Sequence, residues 1–345
     1  MIDKYKTVDL EKWIQEIDND FGKLISIKKF EIGQSNPTYK LELDNKNLVL
    51  RSKPRGKLLK GAHRIDREFK VMSALYGSSI PVPKMFGYCK NENIFGTEFY
   101  VMEFIDGIQE KNPLLPNFEI SEKKNIYHDK LRMLINLSKL NLKEIKLDDY
   151  SKSINYLERQ IILWINQYRL TETKKISSME FLIENLLKNV PKIFEKLPVV
   201  LIHGDFRQDN MIIEKNKKNE IRGLLDWELS TLAPAFIDLS YWSVMLRFKE
   251  NWPINGLGLD ETRKKIDGIP AEKELFEIYS NELGYDIMKH WNYLLAFNCF
   301  RFAGILQGIT KRVLDGNNAG SHAKQIGNQA LPVAKMGEIF LKEYI

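Results

Sequence analysis

The sequence predicts an α+β protein of two lobes: a small antiparallel sheet with one main helix, then a larger, mostly helical lobe. Three observations predict it. Short strand-like runs crowd the chain before residue 104, nearly everything from Ile120 to Leu197 carries helical periodicity, and Val200 to Asp238 returns to short strands around polar residues. The lobes are placed at 1–104 and 105–345, with a hinge at about 103–107 where the composition changes. A chain of 345 residues can bury a core of that size.

Leu10 to Phe21 reads as an amphipathic helix, with Leu10, Trp13, Ile14 and Ile17 on one face. Ser26 to Ile32 and Thr38 to Leu43 read as strands around the small, polar turn Gly33 to Pro37, and Asn47 to Ser52 as a third. A helix follows from about His63 to Tyr76, with Ile65, Phe69, Met72 and Leu75 in a stripe and Glu68 beside it. After the bend at Pro81-Val82-Pro83 come strand Met85 to Cys89, a turn at Asn91 to Asn93 and strand Glu98 to Phe104. Helices are predicted at about Glu122 to Leu140, Tyr156 to Tyr168, Glu180 to Phe194, Glu272 to Leu283 and Trp291 to Val313. A turn at Gly316 to Gly320 and a last helix complete the chain. Gly256 to Leu259 is a loop and not a nucleotide fingerprint, because no strand precedes it.

The chemistry concentrates in VLIHGDFRQDNMII…GLLDWELS. An apolar strand, Val199 to Ile202, ends in His203-Gly204-Asp205, and Asn210 follows five residues after Asp205. A second apolar strand, Met211 to Ile213, leads through a Lys/Asn turn into Gly223-Leu224-Leu225 and Asp226-Trp227. This spacing is that of a phosphoryl-transfer catalytic loop followed by a metal loop. Asp205 is the candidate base for a hydroxyl proton, and Asn210 and Asp226 are the candidate Mg²⁺ ligands, since Mg²⁺ takes oxygen donors. Arg51, at the end of the third strand, and Glu68, on the next helix, suit a phosphate-binding cation and the acid that fixes it, with Lys53 the rival cation. Ser35 and Asn36 lie in a turn that could cover phosphates, and the backbone of Glu103 and Ile105 could meet an adenine edge. Asp238 suits a structural role, capping its helix or holding the catalytic loop by hydrogen bonds.

Composition excludes several other classes. Hydrophobic residues at 43% and charged residues at 28% read as globular. Two cysteines, Cys89 and Cys299, argue against a disulfide scaffold, and five histidines in no ligand spacing argue against a metal hydrolase. No apolar run suits a membrane span or a signal peptide, so the cytoplasm is the expected location. The net charge of +6 is spread along the chain, and clusters such as Lys215-Asn216-Lys217-Lys218 fall in turns. Without a basic stripe interleaved with aromatics, no nucleic-acid partner is expected.

HGDFRQDN, LLDWE and the later Asp238 together resemble the aminoglycoside phosphotransferase/choline kinase family of the protein-kinase-like fold. A finer similarity is to the kinase-like domain fused to some acyl-CoA dehydrogenases. GQSNPTY at 33–39, LVLRSKPRGKLL at 48–59, AHRIDREFKV at 62–71, IPVPK at 80–84, GTEFYVMEFIDG at 96–107 and FRFAGILQG at 300–308 carry it in order and spacing. The resemblance implies a bilobal kinase using ATP and Mg²⁺. Asp205 would be its base, Asn210 and Asp226 its metal ligands, and Arg51 and Glu68 its phosphate clamp. Ser35 and Asn36 would form its phosphate loop, and Glu103 and Ile105 its adenine hinge. Ala233-Pro234-Ala235 departs from the Gly-Asp-Pro usual before Asp238. Glu228 stands where protein kinases carry glycine, so a flipping metal loop is not assumed.

The expected acceptor is a small-molecule hydroxyl, with an anionic or acyl-bearing alcohol such as a hydroxyacyl-CoA preferred over an aminoglycoside. Arg247, Lys249, Arg301, Lys311 and Arg312 lie in the C-terminal half, and Arg301 with Phe297, Phe300 and Phe302 is expected to border it. An antibiotic phosphotransferase and a regulatory nucleotide-binding pseudokinase are the alternatives. The intact Asp205, Asn210 and Asp226 argue against the second.

Overall fold

The computed structural model describes residues 4–30, 36–56, 63–152, 154–215, 220–259, 265–316 and 321–345. They form two compact units. The first comprises residues 1–109, 143–147 and 210–230, and the second 110–142, 148–209 and 231–345.

The first unit begins with α1 (Lys4–Ile17), which starts earlier than its apolar face predicts. A five-stranded antiparallel sheet follows, of β1 (Leu24–Lys29), β2 (Thr38–Leu43), β3 (Asn47–Ser52), β4 (Met85–Cys89) and β5 (Phe99–Glu103), in the order β1-β2-β3-β5-β4. Alternation along β2 and β3 sends Leu41, Leu48 and Leu50 into a core with Leu10, Ile14 and Phe99. Helix α2 (Ile65–Leu75) lies between β3 and β4 in the chain. The segment predicted as a turn at Asn91 to Asn93 is a one-turn helix, α3 (Glu92–Phe95), because the Asn91 side chain caps the N–H of Asn93 at 3.1 Å. A small hairpin of β7 (Met211–Ile213) and β8 (Ile221–Leu224) completes the unit. Gly107 lets the chain after β5 run against it. A Cβ there would stand 2.3 Å from Ile212 Cγ2, and Ile108 bridges Ile213.

The second unit is helical: α4 (Ile120–Lys139), α5 (Tyr156–Thr171), α6 (Ser177–Leu186), α7 (Ile237–Arg247), α8 (Glu272–Leu283), α9 (Trp291–Leu314), α10 (Ser321–Gly327) and α11 (Ala330–Tyr344). The predicted helix Glu180 to Phe194 stops at Leu186. Two 3₁₀ turns, at 187–189 and 192–195, take its place around Pro191, which cannot continue the ladder. Helix α9 is buried nearly all round, and α11 crosses it closely at Gly337, where a Cβ would lie 2.7 Å from that of Cys299. Two strands, β6 (Val199–Ile202) and β9 (Thr231–Pro234), pair antiparallel, Val200 opposite Ala233. Thus Ala233-Pro234-Ala235, whose geometry the sequence leaves open, closes this ladder. Strand β9 was not predicted, since Pro234 at its end masks the strand signal. The predicted turn at Gly316 to Gly320 falls mostly outside the described residues. No helix among them is long and apolar enough to cross a membrane.

Candidate active site

In the first unit, Arg51 sits on β3 opposite Thr38 of β2 and Tyr100 of β5. Its Nε lies 3.0 Å from Glu68 Oε2, and its Nη2 donates to Asp226 Oδ1 at 2.8 Å. Three segments remote in sequence thus meet on one guanidinium, whose planar fork suits two carboxylates. The rival Lys53 is paired with Glu98 at 2.9 Å. Burial opposes the charge of Arg51, but Glu68, Tyr100, Asp226 and Glu228 outweigh it and hold its pKa above the ordinary value. Glu68 is itself buried. Burial pushes it up to about 7, against the pull of Arg51 and with Asp226 and Glu228 adding to the rise.

Asp226 follows β8 in the left-handed region at φ 66°, a conformation a non-glycine residue holds at a cost. The Leu225 N–H donates to the Asn210 carbonyl at 2.8 Å, tying the start of β7 to the residue before Asp226. Asn36 is buried with both ends of its amide used: Nδ2 donates to Glu228 Oε2 at 3.0 Å, and Oδ1 lies 2.9 Å from His63 Nδ1. Its side chain is therefore a tie between three segments. Ser35 lies outside the described residues. Glu103 ends β5 with its N–H committed to the Lys84 carbonyl at 2.8 Å, and Ile105 follows half-buried beside Gly223.

In the second unit, β6 delivers His203 and Gly204 into a loop held from α7. Asp238 accepts from the His203 N–H at 2.6 Å and from the Gly204 N–H at 3.0 Å. Burial raises the Asp238 pKa, with His203 and these two bonds opposing. One turn further along α7, Tyr241 donates its hydroxyl to Asp205 Oδ1 at 2.5 Å. Burial first, and then Asp205, keep that phenol protonated far above neutral pH, so it is a permanent donor. Arg207 Nε lies 3.5 Å from the same Asp205 oxygen and donates to Asp209 Oδ1 at 2.9 Å. Tyr241 stacks on Phe302 at 4.6 Å between centroids, and the Arg301 guanidinium sits 5.6 Å from its ring centre. Sequence reasoning missed Tyr241; its only signal was its place three residues after Asp238 on a helix face.

The basic and aromatic residues expected to border an acceptor do something else. Phe297, Phe300 and Phe302 are core, and Arg301 is buried with Nη1 on Asn298 Oδ1 at 3.2 Å. Arg247 is paired with Glu272, and Lys311 with Asp315 at 2.5 Å. For Arg301 and the three phenylalanines the reason is visible in α9, the helix they occupy. A run as apolar as Tyr293 to Leu306 has no polar face to offer solvent, so its one arginine is buried with it.

A five-stranded antiparallel sheet carrying a cation–acid pair, and a helical unit carrying His-Gly-Asp on a strand end, define a phosphotransferase of the protein-kinase-like fold. Residues 26–259 match the family described as the phosphotransferase enzyme family, and the chain belongs to it. Acyl-CoA dehydrogenase family member 10 of Mus musculus is 39% identical over 312 residues, 90% of this chain and 29% of that protein. Acyl-CoA dehydrogenase family member 11 of Homo sapiens is 35% identical over 339 residues, 97% of this chain and 43% of that protein. The chain therefore spans less than half of either relative. A crystal structure from Ralstonia eutropha, provisionally named an aminoglycoside phosphotransferase, is 36% identical with a TM-score of 0.86, covering 98% of both chains.

Proposed function

We propose that this protein is an ATP- and Mg²⁺-dependent small-molecule kinase that transfers the γ-phosphate to a hydroxyl of an anionic or acyl-bearing alcohol. The observation that carries the proposal is the Arg51 guanidinium bound by Glu68 and Asp226, a largely enclosed cation fixed by an acid from α2. A cation so held contacts phosphates without reorganising, which is most of what phosphoryl transfer asks of a protein. The likeness to acyl-CoA dehydrogenase family members 10 and 11 supports a hydroxyacyl thioester among the acceptors, because their kinase-like part would act beside a dehydrogenase.

The residues present fit Mg²⁺. Asn210 and Asp226 offer hard oxygen donors, and the Asp226 side chain is 29% exposed. When bound there, the ion would neutralise phosphate charge. Arg51 would hold the phosphates, Asn36 would keep the loop over them in place, and Ile105 would present backbone to the base. Asp205 would take the proton of the acceptor hydroxyl as the new O–P bond forms and the bond from the γ-phosphorus to the bridging oxygen breaks, releasing ADP. The Tyr241 hydroxyl would hold Asp205 in orientation. The test is a screen of alcohols with γ-labelled ATP, comparing hydroxyacyl thioesters, choline-like alcohols and kanamycin-type antibiotics by kcat/KM. Label should pass to the anionic or acyl-bearing alcohols. Antibiotic turnover at about 10⁴ M⁻¹s⁻¹ or above with no thioester turnover would overturn the acceptor assignment.

A further inference from the structure

A pocket of about 120 Å³ opens in the second unit, against the loop that carries Asp205. Arg207, Gln208 and Asp209 form one side of it, Lys130 of α4 another, and Trp242 and Leu246 of α7 an apolar wall. Lys130 is 1% exposed. Its Nζ donates to Gln208 Oε1 at 2.7 Å and otherwise faces rings, 4.4 Å from the centre of Tyr127 and 4.8 Å from that of Trp242. No carboxylate lies within ion-pair distance of it among the described residues. Gln208 is 6% exposed, and its Nε2 has no hydrogen-bond partner among the described residues.

A buried ammonium paired only with an amide oxygen is costly, and a buried N–H without an acceptor adds to the cost. Burial accordingly drags the Lys130 pKa down to about 7, with Asp209 opposing. Both deficits belong to residues that line the pocket and touch each other, and an oxyanion would satisfy both. The remaining charges decide its size. Arg207 is neutralised by Asp209, and Lys111, at the rim, is exposed and solvated. One uncompensated buried cation in a small pocket suits a monoanion.

We propose that this pocket binds the carboxylate of an anionic phosphoryl acceptor, a free hydroxy acid and not its thioester, held between the Lys130 ammonium and the Gln208 amide, with the adjoining chain along Trp242 and Leu246. The acceptor role rests on the kinase reading above; the anion site does not. Lys130 is thus a specificity residue. It rejects acceptors that present a cation to this wall, for which it offers like charge in place of a carboxylate.

The experiment is calorimetric titration of the full chain, without nucleotide, with butyrate, its neutral isostere butyramide, and inorganic phosphate. Butyrate should bind more tightly than either of the others, and Lys130→Met should weaken it by about tenfold or more while leaving butyramide unchanged. Lys130→Met removes a buried charge but leaves Gln208 Oε1 without its donor, so the Tm of each variant is read beside its binding. Gln208→Leu supplies an independent variant, expected to weaken butyrate severalfold. Equal binding of butyrate and butyramide, tighter binding of phosphate, or wild-type butyrate affinity in both variants would overturn the site. Labelled transfer on the same preparations separates the two proposals. An enzyme that phosphorylates neutral alcohols as well as their carboxylate analogues keeps the kinase reading and loses the pocket. One that binds butyrate through Lys130 but transfers nothing keeps the pocket and loses the kinase reading.

Discussion

The two units hold their chemistry in opposite ways. In the first, ions are held by ions: one guanidinium from β3 joins an acid from α2 to another beyond β8, and a fourth charge, Glu228, is tied in through Asn36. In the second, one helix does most of the holding: its Asp238 and Tyr241 fix the loop and its aspartate one turn apart, and a single longer ion pair, from Arg207 at 3.5 Å, meets the same oxygen. A network of mutual ion pairs can exchange partners, which suits a site that must receive a polyanion. A carboxylate oriented by a neutral hydroxyl keeps its charge for one proton, which suits a base. The contrast predicts that variants of the second unit strike turnover, and variants of the first strike nucleotide binding.

The largest effect is expected at Asp205. Asp205→Asn should keep ATP affinity and lower kcat by about 10²–10⁴-fold, the range for a positioned general base. A variant retaining more than about a tenth of wild-type kcat would remove Asp205 from that role. Tyr241→Phe should be milder, lowering kcat by about tenfold with KM for ATP unchanged. It should also move the acid limb of the kcat–pH profile upward, because the ionised carboxylate loses a donor. An unmoved limb would reduce Tyr241 to a packing residue.

A smaller effect separates the units by pH. Glu68 titrates at about 7 in the folded chain against an ordinary 4.5. A carboxyl raised on folding contributes stability below its unfolded pKa and loses it as pH climbs through the folded one. Without nucleotide, the Tm of wild type relative to Glu68→Gln should therefore fall between about pH 4.5 and 7 and level off above. A difference that is flat with pH would show that Arg51 keeps Glu68 ionised throughout.

Much of this was legible in the chain. Helix α8 and strands β3, β4, β6 and β7 have the predicted bounds, since each is a periodic or continuous apolar run between polar or turn residues. Arg51 meets Glu68 as its position at the end of β3 suggested, and Asp238 holds the catalytic loop as its place at a helix start allowed. What failed depended on distance in space. Lys130 lies 78 residues from Gln208 and reads in isolation as a solvated helix charge. Tyr241 and Trp242 read as part of an apolar run. Arg301 is expected to border the acceptor and is instead buried, because a one-dimensional pattern does not reveal that α9 is enclosed as far as Gly308. Local period finds elements; it does not find which of their polar atoms are left without partners.

The division of labour between the units is tested most directly by thermal shift with ATP, in Mg²⁺ and in EDTA, on Asp226→Ala and Asp205→Asn side by side. The Mg²⁺-dependent increment should vanish in Asp226→Ala, where the proposed metal oxygen and one of the two carboxylate partners of Arg51 are lost, and survive in Asp205→Asn. Asn210→Ala should behave as Asp226→Ala does. An increment that persists in Asp226→Ala, or that disappears equally in Asp205→Asn, would contradict the account.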